Sequence, residues 1–284
     1  MFGFRPDGKK VRGLSPTFRV IPSVMLERND SQVYFKQDIP LKALDEYIAK
    51  KQSEGIRVTY MQIIYAAIVR IIAQRPALNR FVVNGSVYQR NEIQVSLVIK
   101  KGLEDDSPET PLKLSYTGKE TLFEVMQKLD KAISDNKDLS ASNSTDKLAG
   151  ALSLVPDMFI RWAVRFLRFL DKYGLMPKAI INASPFHTSV FLTNVGSLGI
   201  DSIYHHLYNF GTTSMFFAMG KKKKSYIYED DEIREEKCIT IAFVGDERIC
   251  DGYYYAASFK QLNKYLKKPE LLELPIEEKE NIPV

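Results

Sequence analysis

The most constraining stretch of this chain is Val58–Gln74, VTYMQIIYAAIVRIIAQ, which is apolar almost all round when wound as a helix. Such a helix is expected to be buried on most sides, and Pro76 ends it. Its neighbours in sequence supply the surroundings. Ser31–Ile39 alternates as a strand does, and Pro40 opens LKALDEYIAKKQSEG, where Leu41, Leu44 and Ile48 share one helical face and Gly55 marks the stop. Phe81–Val83, Ser86–Gln89 and Glu92–Lys100 read as strands, with turns at Asn84–Gly85 and near Asn91. Lys119–Asn136 is an amphipathic helix carried by Leu122, Val125, Met126, Leu129 and Ile133. From Thr188 the chain is mostly β (SVFLTNVG, SMFFAMG, KSYIYED, CITIAFVGD), and it closes with a helix over Tyr254–Lys267. Strands and helices alternate without a regular βαβ repeat, which is a mixed α+β order. Residues 1–20, rich in Gly, Pro and Lys, are expected to be an extended lead-in, and Gly102–Thr110 a loop. Nothing splits 1–284 into two domains.

The chain has 284 residues, 45% of them apolar, which is ample for a core without disulfides or structural metal. Cys238 and Cys250 are its two cysteines, too few for a disulfide framework or a four-cysteine zinc site, so a reduced, cytoplasmic protein with no metal is expected. The start, MFGFRPDGKK, lacks the apolar core of a signal peptide, and no run of about eighteen apolar residues occurs. The net charge of +5 suits anionic ligands such as phosphates. It comes with no zinc-finger, basic-zipper or RNA-binding signature, so nucleic acid is not an expected partner.

Four stretches, in order, resemble the catalytic domain of the 2-oxoacid dehydrogenase acyltransferases (E2) within the chloramphenicol acetyltransferase-like superfamily. They are the buried helix running into RPALNRF; TSVFLTNVGSLGI (Thr188–Ile200), similar to the family's TFTISNLGMFG; MFFAMGKKKK, similar to a strand ending in Gly before a basic hairpin; and GDERICDG (Gly245–Gly252), similar to DHRVVDG. PELLEL is similar to the usual close of that domain. The resemblance covers roughly residues 20–275 and implies an α+β, two-layer sandwich with a mixed β-sheet that forms trimers, each active site lying at a subunit interface. It further implies a histidine that deprotonates a thiol or hydroxyl acceptor, which attacks the thioester of acyl-CoA. A Ser or Thr hydroxyl from the neighbouring subunit stabilises the oxyanion, and an Asp holds the motif loop.

Carried over residue by residue, Asp246, Arg248, Asp251 and Gly252 match the loop. Thr193 stands where the oxyanion-stabilising hydroxyl belongs, and Asn194 follows it. Lys221, Lys222 and Ser197 are the candidates for holding coenzyme A. The histidine does not match: its place holds Glu247. Histidine meets the demand for a base that titrates near neutral pH unaided, whereas a carboxylate sits about two units lower. Burial can raise a carboxylate by a few units, so the family reaction is expected to be lost or altered at Glu247. Three histidines are candidates for a relocated base: His187, just ahead of the strand bearing Thr193, and His205 and His206, after Gly199. Surface or packing roles are commoner for each. The adjacent pair points to opposite faces of an extended chain and makes no metal site alone.

Two further features stand apart. Lys221–Lys224 either draws the phosphates of coenzyme A or, more commonly, forms a solvated hairpin whose charges prevent edge pairing. The link at about 138–185 is longer than the family's and reads as an insert, with a Ser/Asn/Asp-rich mobile linker at Asp138–Lys147. Within it, the 156–173 helix sets Arg161, Arg165, Arg168 and Lys172 on one stripe, opposite Phe159, Trp162, Phe166, Phe169 and Leu170. Its apolar face is expected to pack on the domain or across a trimer interface. The alternative is docking on a membrane surface or a protein partner. No lipoyl segment or long Pro/Ala linker precedes the catalytic region, so a stand-alone protein is expected. Three functions follow: an acyltransferase-fold protein with lost or altered acyl transfer, an active CoA-dependent acyltransferase on a small-molecule acceptor, or a non-enzymatic oligomeric scaffold.

Overall fold

The computed structural model describes residues 5–102, 107–138, 141–229 and 231–276. In chain order the elements are β1 (Gly8–Lys10), α1 (Pro16–Val24), β2 (Gln32–Pro40), α2 (Lys42–Ser53), α3 (Tyr60–Gln74), β3 (Arg80–Val83), β4 (Ser86–Arg90), β5 (Ile93–Lys100) and β6 (Glu109–Tyr116). There follow α4 (Leu122–Lys137), α5 (Ser144–Ser153), α6 (Asp157–Lys172), α7 (Lys178–Ala183), β7 (Val190–Asn194), β8 (Met215–Glu229), β9 (Glu232–Asp246) and α8 (Gly252–Lys267).

α3 is the axle of the core. Thr59 caps it reciprocally with Gln62, and every residue from Gln62 to Ile72 is buried. Gln62 reaches α4 by donating to Asp130 at 2.8 Å. Arg70, the cation on this helix, donates to the carbonyls of Leu272 and Leu274 at 3.3 and 2.7 Å. A buried guanidinium among apolar groups is tolerable because it is hydrogen-bonded.

Beneath α3 lies a six-stranded sheet in the order β2-β9-β8-β7-β5-β6; a small β1-β4-β3 sheet sits beside it. β5, β7 and β8 run parallel and the remaining pairs antiparallel, so the sheet is mixed. The pleat sorts its side chains. Leu192, Phe217, Met219, Ile241 and Phe243 point to the helical layer and join the main core. Phe191, Phe216, Ala218, Ala242 and Val244 point the other way and are covered by Leu207 and Tyr208 of the 199–214 segment. The result is an α+β two-layer sandwich with a mixed β-sheet.

Several sequence expectations need correction. The lead-in is not extended throughout: β1 pairs with β4, and Ser15 caps α1. β6 begins inside the stretch expected to be loop, and its Pro111 sits where an edge strand can hold it. The strand does not end at Gly220: Lys221–Lys224 lie inside β8, which runs on to Glu229 with a bulge between Met219 and Lys222 and forms a hairpin with β9. β8 and β9 therefore continue as a paired arm past Pro40, where β2 ends opposite Cys238. The linker expected at 138–147 is anchored where it is described. Thr110 donates to Asp146 at 2.6 Å, and Asn143 donates to Thr110 at 2.9 Å. Residues 139–140 of that linker, and 103–106 of the expected loop, lie outside the described residues.

The helix of the insert is present as α6, but its aromatic face does not pack on the domain. Ile160, Ala163, Val164, Leu167 and Leu170 face the body, while Phe159, Trp162, Phe166 and Phe169 stand in solvent.

Candidate functional site

The loop from Asp246 to Asp251 turns β9 into α8, and its frame is built from charges. Asp246 is fully buried; Arg248 clasps it with Nε at 2.8 Å from Oδ1 and Nη2 at 2.7 Å from Oδ2. This two-pronged pairing fixes both side chains in one geometry. Arg248 also donates from Nη1 to the Met25 carbonyl at 3.0 Å. Arg28 lies against the same carboxylate, Nε 3.6 Å from Oδ2, and donates to the carbonyls of Tyr208 and Gly211 at 2.6 and 3.0 Å. Burial, opposed by Asp246, pulls the Arg28 guanidinium below its ordinary value. Backbone bonds complete the frame: the Asp246 N–H donates to the Ser214 carbonyl and the Glu247 N–H to that of Ser31, both at 2.9 Å. Asp251 accepts from the Tyr254 N–H at 2.7 Å and caps α8.

This frame sorts the expected site residues. Arg248 and Asp251 hold the loop. Glu247, half-buried, is left without such a duty and lines a cavity of about 460 Å³. The cavity walls are largely apolar: Phe18 and Ile21 of α1, Phe35 of β2 and Phe259 of α8, with Asp251 beside Glu247. Arg248 borders a second, polar cavity of about 570 Å³, together with Arg28, Arg168, Asp171 and Lys172. The loop thus stands between an apolar space and a cationic one.

The other expected residues gather elsewhere. Thr193 is level with Ala218 of β8 and, through it, with Ala242 of β9. Asp246 lies four residues further along β9, so Thr193 and the start of the motif loop are roughly 17 Å apart at strand spacing. Asn194 and Ser197 are beside Thr193, and the Ser197 hydroxyl donates to the Asn194 carbonyl at 2.7 Å. Gly196 lies so close to Gly220 that a Cβ there would meet the Gly220 oxygen at 2.3 Å, which presses this turn onto β8 just ahead of Lys221 and Lys222. The Lys222 ammonium sits 4.2 Å from the centre of the Tyr60 ring. Lys221 is exposed.

No histidine joins Glu247. His187 is fully buried, its Nδ1 2.8 Å from the Ser184 hydroxyl and its Nε2 3.5 Å from Asp171. Burial lowers its affinity for a proton, with Asp171 opposing. Burial also works against ionisation of Asp171, but His187 and Arg5 outweigh it and hold the carboxyl down at about 2. Arg5 donates to Asp171 at 2.6 Å. His205 stacks on Phe216 with ring centres 4.1 Å apart, on the sheet face away from the helices, and His206 stacks on His205. Among the described residues no group of His, Cys, Asp or Glu is placed to hold a metal ion, and no helix is long and apolar enough to cross a membrane.

Sequence reasoning missed Arg28 and α1, which supplies one wall of the apolar cavity. A signal for α1 exists: Ser15–Pro16 is a helix-start pair. Arg28 has no local signature, because its partners are distant in sequence.

Residues 185–274 match the family of 2-oxoacid dehydrogenases acyltransferase (catalytic domain). No curated protein matches the sequence. Among solved structures, a probable dihydrolipoamide acetyltransferase from Listeria monocytogenes 4b F2365 is similar at TM-score 0.56 and 13% identity, over 92% of this chain and 95% of that one. A truncated catalytic core of the 2-oxoacid dehydrogenase multienzyme complex from Thermoplasma acidophilum is similar at 0.56 and 11%, over 92% and 99%. A chloramphenicol acetyltransferase is similar at 0.55 and 10%, over 92% and 100%.

Proposed function

We propose that this chain, with the fold of the 2-oxoacid dehydrogenase acyltransferase catalytic domain and of chloramphenicol acetyltransferase, has lost the histidine-based acyl transfer its fold is associated with. The observation behind this reading is a well-braced motif loop that presents a carboxylate. Asp246, Arg28 and Arg248 brace the loop, and the side chain they leave facing the apolar cavity is Glu247. An ordinary carboxylate titrates about two units below an imidazole, a handicap of about 3 kcal/mol in accepting a proton at neutral pH. His187 does not replace the lost base: it is fully buried and held by Ser184.

One observation favours a second reading, in which acyl transfer is altered rather than lost. Glu247 borders an apolar cavity, the surrounding that makes a carboxylate a better base once substrate excludes water. The cationic cavity on the other side of the loop suits the phosphates of an acyl-CoA. The rough 17 Å between Thr193 and the loop supports a homotrimer, in which Thr193 of one subunit serves the loop of the next. No metal enters either reading. Free, buried Cys238 and Cys250 fit a reducing cytoplasm.

Acyl-CoA turnover with thiol, amine and hydroxyl acceptors tests both readings, using the natural chain, Glu247→Gln and Glu247→His. Turnover at the uncatalysed rate in the first two, raised at least about tenfold by the histidine, is the expected result. Turnover in the natural chain that Glu247→Gln abolishes overturns loss and favours the carboxylate base. Turnover above the uncatalysed rate that is indifferent to Glu247→Gln overturns both.

A further inference from the structure

α6 divides its circumference into three stripes. Ile160, Ala163, Val164, Leu167 and Leu170 face the protein, and Asp171 at the end of that stripe is pinned by Arg5. Met158, Phe159, Trp162, Phe166 and Phe169, at helical spacing, form a second stripe that is more than half exposed throughout, reaching 67% at Trp162. Arg161, Arg165, Arg168 and Lys172 form the third stripe, on the flank of the aromatic one, and all four are exposed. No ion pair to any of the four forms among the described residues. Leu154 and Leu175, 86% and 61% exposed, extend the apolar surface beyond both ends of the helix.

We propose that α6 docks this protein on the surface of an anionic lipid bilayer. The helix has 16 residues, so it is about 24 Å long, too short and too charged to span, but suited to lie in the interface. Its rings would enter the boundary between headgroups and acyl chains, where Trp and Phe side chains partition well. The flanking guanidinium groups would then stand at the depth of lipid phosphates. Charge decides the occupant. A second copy of this chain, itself carrying +5, would have to bring carboxylates to four cations that form no ion pair among the described residues, whereas an anionic leaflet presents negative charge everywhere. A bilayer also accepts a convex aromatic ridge without a matching groove. This docking does not depend on whether Glu247 catalyses anything.

Trp162 is the single tryptophan of the chain, which gives a direct readout without any substitution. Its fluorescence should shift to the blue on adding vesicles of phosphatidylcholine containing roughly a third phosphatidylglycerol, and not with phosphatidylcholine alone. In flotation, Phe159→Glu/Phe166→Glu and Arg161→Glu/Arg165→Glu should each weaken binding to the mixed vesicles at least about tenfold, and added salt should weaken the natural chain. Both pairs are exposed, so circular dichroism should be unchanged. No shift and no flotation with either vesicle overturns the proposal, as does binding that both double variants retain. Loss of an oligomer in the phenylalanine variant, with no vesicle binding by the natural chain, would assign the stripe to a second copy and also overturn it.

Discussion

Lys113 is held under the insert by two carbonyls, donating to Ile181 at 2.8 Å and Ser184 at 3.2 Å. Burial, with repulsion from Arg90 added, pulls its amine down to about 7. In the unfolded chain a lysine keeps its ordinary affinity near about 10.4, so between pH 7 and 10 the unfolded state carries the extra proton. Stability contributed by this group therefore rises with pH across that window, and below about pH 7 the penalty is complete. Denaturant titrations at pH 7, 8 and 9 should show a slope on the order of 1 kcal/mol per pH unit more positive in the natural chain than in Lys113→Met. Equal slopes would mean that the amine is not desolvated. The slope is the readout, because the variant also leaves two carbonyls unpaired, which offsets its stability by the same amount at every pH. At this scale the sequence revealed much of the motif loop. Asp246, Arg248 and Asp251 were legible through the resemblance of GDERICDG to a family motif, and the structure bonds the first two as a pair. Arg28, Met25 and Ser31 hold the same loop from far along the chain, and nothing in their own neighbourhoods announces it.

Among the elements, those that were misread share a cause: a residue that usually punctuates structure was read as doing so. Pro16 lies in the stretch read as an extended lead-in, yet it occupies the first turn of α1, where a missing N–H costs nothing. Gly220 and the four lysines suggested the end of a strand, yet β8 passes through them and turns only after Glu229. The arm this creates pairs Lys224 with Lys237 and ends with Glu229 opposite Glu232, without a third strand among the described residues. Its Tyr226, Tyr228 and Ile233 are about 70% exposed, and none belongs to a core cluster. A lone two-stranded ribbon contributes little to stability. Replacing Tyr226–Glu235 by an Asn-Gly turn between Ser225 and Glu236 should therefore move the thermal midpoint by less than about 3 °C. A drop of ten degrees or more would show that the arm is braced by a contact outside the single chain.

For the molecule as a whole, fold class was the easier inference, since a helix apolar on all sides has few homes and a layered α+β sandwich is one of them. Assembly was accessible only through resemblance. If Thr193 and Glu247 complete one site between subunits, sedimentation equilibrium at micromolar concentration should give three times the monomer mass. A monomer would remove any shared site. The sheet order has a consequence for how such a chain is made. β2, near the start, bonds to a single neighbour, β9, which lies almost two hundred residues later. At ordinary synthesis rates a ribosome needs roughly 10–40 s to bridge that interval. Throughout it, β2 is a finished strand with both edges bare, and Arg28 waits for the carboxylate of Asp246. The nascent chain must be kept from pairing with its neighbours on a polysome until β9 has emerged.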